Sequence, residues 1–191
     1  MLTTNYPKAT GVLIDFKKYV ISQSRRNLTK GGKNGSHRAS DSLYSSLKGY
    51  INKKFNRSGG KFTGGSSMPS LTFQMNKYGQ YLDEGVRGSK SSYLKNRLSP
   101  YKFGRNGDKK SIPTGALEKW LKAKGLPLKL KYAIGRSIYQ KGIERSMFFL
   151  KPFNKRLKMT LTKYHKAIAD DIQVNVANKI AKEIKNKKTT K

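Results

Sequence analysis

Over residues 11–28, Val12, Leu13, Phe16, Tyr19 and Val20 form one apolar stripe, and Asp15, Lys17 and Lys18 fall outside it. At about 100° per residue that spacing predicts an amphipathic helix. Arg25 and Arg26 near its end suit the negative pole of the helix dipole, and Gly31, Gly32 and Gly35 break the chain after it. Residues 36–51 are mixed: Leu43, Leu47 and Tyr50 suit a helix, while Leu43, Ser45 and Leu47 also alternate. A short helix or turn feeding a strand over about 50–55 is expected. Residues 58–67 are rich in Gly and Ser and read as a hairpin-type loop. Leu71, Phe73 and Met75 alternate with Thr72, Gln74 and Asn76, the pattern of a half-buried strand.

Residues 85–111 show no sustained period. They carry Arg87, Lys90, Lys95, Arg97, Lys102, Arg105, Lys109 and Lys110 against one acid, Asp108. Loops of this length inside a domain are commonly functional, and Tyr93, Tyr101 and Phe103 give this one something to pack with. It is expected to order against a partner surface. Residues 114–153 follow with firmer punctuation. Thr114 is placed to cap a helix with Leu117, Trp120 and Leu121 on one face, and Gly125 with Pro127 stops it. A second helix is expected to bury Leu130, Ala133, Ile134 and Ile138 and to end at Gly142.

The last predicted element runs over about 154–185. Its apolar positions are Leu157, Leu161, Tyr164, Ile168, Ile172, Val176, Ile180 and Ile184. A step of four advances the stripe by about 40°, so its direction turns through about half a circle from Tyr164 to Ile184. Either the helix breaks, or Val176, Ile180 and Ile184 pack against a different body, a neighbouring subunit. These elements predict an α+β fold in a single domain over 1–191. A small antiparallel sheet is packed by an N-terminal helix, two short central helices and a long C-terminal helix, with a basic loop over 85–111 and a basic tail over 185–191.

Charge changes the picture more than composition does. The chain has 191 residues with 42 Lys and Arg against 10 Asp and Glu, a formal net charge of +32. Such a chain repels its own copies unless polyanions or acidic neighbours neutralise it. Nucleic acid is the default partner, although a lysine-rich coding habit yields the same composition. Basic residues lie along the whole chain without a zinc finger, KH loop or ribonucleoprotein motif, so non-specific phosphate contact through 85–111 is favoured over sequence reading. Cysteine is absent, which removes disulfides and thiolate metal sites. No apolar core of signal-peptide length follows Met1, and Val12-Leu13-Ile14 and 147–150 are too short to span a bilayer. A soluble, non-secreted protein without a membrane partner is expected.

No catalytic, cofactor-binding or metal-ligating residues emerge. The adjacent acids Asp83-Glu84 and Asp170-Asp171 diverge on a helix or strand, and a metal nuclease needs several acids converging on one point. His37 and His165 lack acidic or thiolate companions, no serine sits in a nucleophile elbow, and the glycines form no Walker or dinucleotide fingerprint. A non-enzymatic protein is expected.

The order of elements carries more information. After the first helix come Ser42-Leu43 and Ser46-Leu47, then a strand ending in Tyr78-x-x-Tyr81-Leu82-x-Glu84-Gly85. A Trp-bearing helix with Lys-Gly-Leu (124–126), a helix ending in Lys-Gly-Ile (141–143), Phe-Leu-Lys-Pro-Phe (149–153) and a long helix complete it. This resembles the tail-completion and neck (head–tail connector) proteins of tailed bacteriophages, the HK97 gp10-like group, most closely over 74–88 and 116–153. The chain departs where Val86 follows Gly85, in the basic insertion after Arg87 and in the extended last helix. The resemblance implies a structural virion protein, made in the host cytoplasm, that forms a homo-oligomeric ring. Its implied partners are other neck, portal-adaptor and tail proteins, with DNA passing through the centre. It also implies that Glu84 orients a loop or pairs with a basic residue across a subunit boundary. A basic nucleic-acid-packaging protein is the alternative.

Overall fold

The computed structural model describes residues 6–30, 41–52, 55–58, 61–66, 68–90, 93–104 and 114–189. The fold is α+β. Six α-helices and three two-stranded sheets are present among these residues, and the last helix is by far the longest. Packing divides the chain into two compact units, one from segments 1–21, 49–73 and 153–191, the other from 22–48 and 74–152.

The first unit is organised by helix α1 (Pro7–Lys30), strands β1 (Lys48–Asn52) and β4 (Ser70–Gln74), and helix α6 (Leu150–Thr189). Proline suits the first turn of α1, where its missing N–H has no helical partner in any case. From the predicted stripe of α1, Leu13, Phe16 and Val20 are buried, with Ala9 extending it one turn earlier. Strands β1 and β4 pair. Phe16, Phe73 and Phe153 form an aromatic triangle with centroids 5.4 to 6.1 Å apart, two of the three pairs edge-on, the geometry the ring quadrupole favours. The Arg156 guanidinium lies 4.5 Å from the Tyr19 ring centre, and the Tyr164 hydroxyl donates to the Pro69 carbonyl. Gly49 is required: a Cβ there would sit 2.7 Å from Lys17 Cγ. Strands β2 (Phe55–Ser58) and β3 (Lys61–Ser66) pair antiparallel, with an irregularity between Phe55 and Arg57. The hairpin therefore takes into its strands most of the stretch read as loop.

The second unit surrounds Leu28, Leu43 and Phe148, with Met75, Leu82 and Phe149 packed on them. The last turns of α1, from Ser22, and helix α2 (Asp41–Ser46) belong to it. Asn76 latches onto α2, its backbone N–H donating to Ser46 Oγ at 3.1 Å and its amide to Ser42 Oγ at 2.8 Å. Helix α3 (Tyr78–Glu84) leads to strand β5 (Val86–Arg87), which pairs antiparallel with β6 (Gly142–Ile143). Between them stand α4 (Thr114–Ala123) and α5 (Lys131–Lys141). Both glycine stops are real. Gly125 and Gly142 have φ of 65° and 89°, a region L side chains avoid, and a Cβ on Gly142 would fall 2.1 Å from the Val86 carbonyl oxygen.

Three expectations need correction. Residues 78–84, read as the end of a strand, form helix α3, and β4 stops at Gln74; Tyr78, Tyr81 and Leu82 stand at helical spacing. Leu117 and Leu121 of α4 are buried, but Leu130 and Ala133 are exposed and Ile134 and Ile138 only half-buried. At Gly135 α5 comes close to α4, where a Cβ would already stand 3.2 Å from Leu117 Cδ1, and Lys131 Nζ donates to Glu118 Oε1 at 2.8 Å. Close approach at a glycine does there what a broad apolar stripe was expected to do. The last helix does not break, and it begins at Leu150 rather than 154. The capping side chain of Thr114 lies outside the described residues.

Candidate functional site

The stretch after Glu84 is expected to order against a partner, yet over its described residues 85–90 and 93–104 its own chain supplies the surface. Arg87 N donates to the Tyr101 carbonyl and Phe103 N to the Arg87 carbonyl, both at 2.9 Å, making a parallel bridge between Arg87 and Lys102. Ser89 and Lys90 N–H groups donate to the carbonyls of Tyr139 and Gln140. Asn96, fully buried in a 3-10 turn (Leu94–Asn96), gives its amide N–H groups to the carbonyls of Val86 (2.9 Å) and Ile143 (2.5 Å). Its Oδ1 accepts from Arg145 N at 2.9 Å. One side chain thus satisfies a carbonyl on each strand of the β5–β6 ribbon and the N–H of Arg145 just beyond β6. Gly85, with φ of 74°, leaves it room: a Cβ there would lie 2.5 Å from Asn96 Oδ1. Ser99 Oγ then donates to the Gly85 carbonyl at 2.7 Å.

Of the basic residues predicted for contact, Lys90, Arg97 and Lys102 are exposed. Arg87 is half-buried with its Nε buried and without an acceptor. Lys95 lies in the 3-10 turn. Arg105, Lys109 and Lys110 fall outside the described residues. The described ones are spread over a strand, a bend and a turn.

The two acid pairs set aside in the sequence hold residues the reading missed. Asp83 and Asp171 are 2% and 3% exposed. Asp83 accepts from Phe149 N at 2.8 Å and Leu150 N at 3.1 Å, the start of α6. Asp171 accepts from Ala9 N at 2.9 Å and Lys8 N at 3.3 Å, the start of α1. A helix start leaves N–H groups without partners and carries partial positive charge. Here the carboxylate arrives from 66 residues away in one case and 162 in the other. A signal was available, since neither α1 nor α6 has an acid in its own first turn. Burial pushes the Asp83 carboxyl above its ordinary value, against the pull of the two N–H donors and of Arg145. Glu84 is half-buried and forms no ion pair among the described residues. Its charge acts on Tyr101, whose hydroxyl is pushed up first by burial and then by Glu84 and Tyr81.

The surroundings of helix α6 change along its length. Along 150–171 its buried positions are Pro152, Thr160, Ala167 and Asp171. From 172 to 187 every residue is exposed except the half-buried Asn175. Ile172, Val176, Ile180 and Ile184 are 41%, 51%, 53% and 53% exposed. At about 100° per residue these four centre about 180° around the helix from Thr160, Ala167 and Asp171. The stripe therefore faces away from the side on which α6 is packed. In the same far segment Lys179, Lys182 and Lys185 lie off the stripe.

Among the described residues no three His, Asp or Glu side chains are grouped to hold a metal, and no helix is long and apolar enough to cross a membrane. His165 is exposed, and His37 lies outside the described residues. The chain is thus an α+β protein whose distinctive surface is the exposed apolar stripe of α6. Comparison with protein-family models, curated proteins and solved structures finds no match to it.

Proposed function

We propose that this chain is a structural subunit of a tailed-phage virion, a ring-forming head–tail connector or tail-completion adaptor around the DNA channel. The order of motifs described above suggests the class. The observation that carries the reading is the apolar stripe Ile172, Val176, Ile180 and Ile184, exposed in the single chain and turned away from the packed side of its own helix. Contiguous exposed apolar rows mark an interaction site. A neighbouring subunit covers such a row without refolding, and repetition of that contact with rotation closes a ring.

Sedimentation and native mass spectrometry of the purified chain test this directly. A discrete oligomer is expected, and Val176→Asp with Ile180→Asp should return it to monomer without loss of helix content. A chain that stays monomeric at high concentration, alone and with phage neck and tail proteins, would sink the reading. A second reading, a basic nucleic-acid-packaging protein, is favoured by the net charge of +32. It predicts salt-dependent DNA binding by a protein that never assembles.

A further inference from the structure

The packed half of α6 has an outer side that neither the ring contact nor the 85–111 segment uses. Lys155, Lys158, Lys163 and Lys166 all lie there and all are exposed. At about 100° per residue they fall within an arc of about 140°, and they span about 16 Å along the axis. His165 and Thr162 are exposed beside them. Between Leu150 and Ala169 the helix contains no acid at all. A face that is merely solvated usually mixes signs, because opposite charges at i and i+4 stabilise the helix. This one forgoes that gain and places like charges next to each other. The acids that follow are engaged elsewhere: Asp170 pairs with Lys8 and Asp171 is buried at the start of α1.

We propose that Lys155, Lys158, Lys163 and Lys166 form a binding site for the sugar-phosphate backbone of duplex DNA. The make-up of the face selects this partner. Protein interfaces are built on an apolar centre and are depleted of lysine, and Met159 is the one large apolar side chain within this arc. Nucleic-acid interfaces are polar and strongly positive. A single-stranded ligand would want aromatic platforms for its bases, and the arc contains none. No Arg, Asn or Gln lies in the arc to make a bidentate contact with base edges, and His165 stands alone beside it, so the binding is independent of sequence. The site rests on neither reading of the function given above: it serves a monomer or a ring subunit equally.

Salt dependence of binding to a labelled mixed-sequence duplex tests the site. Four phosphate contacts contribute about 3.6 to the slope of log affinity against log salt. The variant with Lys155→Gln, Lys158→Gln, Lys163→Gln and Lys166→Gln should have a slope shallower by about that amount. Between 50 and 200 mM salt the wild type should lose about 100-fold more affinity than this variant does. The control removes the same charge elsewhere, at the exposed Lys119, Lys122, Lys124 and Lys129, and should change the slope by less than about one. Sedimentation of each sample keeps assembly separate from DNA contact. Equal slope losses in the two variants would mean that bulk charge alone binds DNA, and no loss in the first would mean that the face is idle. Either result overturns the proposal. If the fourfold variant does not fold, Lys155→Gln with Lys158→Gln should still lower the slope by about 1.8.

Discussion

The two halves of α6 belong to one unbroken helix of similar lysine-rich composition, yet they live in different surroundings. Up to Asp171 the helix has a packed side, with Thr160, Ala167 and Asp171 buried and Tyr164 bonded to the Pro69 carbonyl. Beyond Asp171 it runs on for about five turns, exposed from 172 to 187 except at Asn175. The near half keeps its apolar contribution small and its outer side basic. The far half turns an apolar row outward. Helix propensity is therefore not what separates them. The difference lies in which positions meet a neighbour within the chain, and Asp171, fixed by the N–H groups of α1, marks the boundary.

Matched substitutions on either side of that boundary should give unequal results. Ala167→Glu forces a charge into the packed side and should cost about 3 kcal/mol in urea unfolding. Ala181→Glu, on the exposed half, should change monomer stability by less than about 0.5 kcal/mol. Similar costs at the two positions would erase the distinction.

Asp171→Ala removes the acceptor for two N–H groups of α1 and should cost about 1–2 kcal/mol, with Asp171→Asn recovering part of it. Amide exchange should speed up in the first turn of α1 rather than along the far half of α6. Faster exchange confined to residues 172–187 would contradict the cap.

The corresponding cap at the near end of α6 makes a pH prediction. The folded carboxyl of Asp83 holds its proton more tightly than its ordinary value of 3.8 would allow. The native state then binds more protons than the unfolded one, so stability from this group falls as pH rises from the unfolded to the folded value. Relative to Asp83→Asn, the wild type should be more stable near pH 4 than near pH 6. A difference of the opposite sign would mean that the two N–H bonds outweigh burial. The smallest effect belongs to Asp170, whose pair with Lys8 is open to solvent at 3.2 Å, with side chains 40% and 57% exposed. Asp170→Ala should cost less than about 0.5 kcal/mol, well below the neighbouring Asp171.

Much of this architecture could be read from spacing. The stripe on α1, the alternation of Leu71 and Phe73 on β4, and the stops at Gly125 and Gly142 are local features, and the backbone follows them. The drift of the last helix was legible too, because four-residue steps turn a stripe whatever surrounds it. The misreadings fall where a distant segment decides. α5 packs through Gly135 against Leu117, and a glycine has no side chain to contribute to a hydrophobic pattern. Residues 85–90 and 93–104 have no period because Asn96 and Ser99 hold them by bonding to backbone groups of β5, β6 and Gly85. Polar side chains that hold a loop in this way leave no apolar signature.

Asp83 and Asp171 show the same limit most plainly. Residue order established that each had an acidic neighbour and that adjacent side chains diverge, and that ten acids in so basic a chain leave few to spare. It could not say which member of each pair turns inward, because the helix start each one caps lies 66 or 162 residues away. Local periodicity is set by backbone geometry that every residue shares, so it can be read along the chain. A buried carboxylate is stable only where tertiary packing brings unpaired N–H donors to it, and that meeting is decided by the fold as a whole.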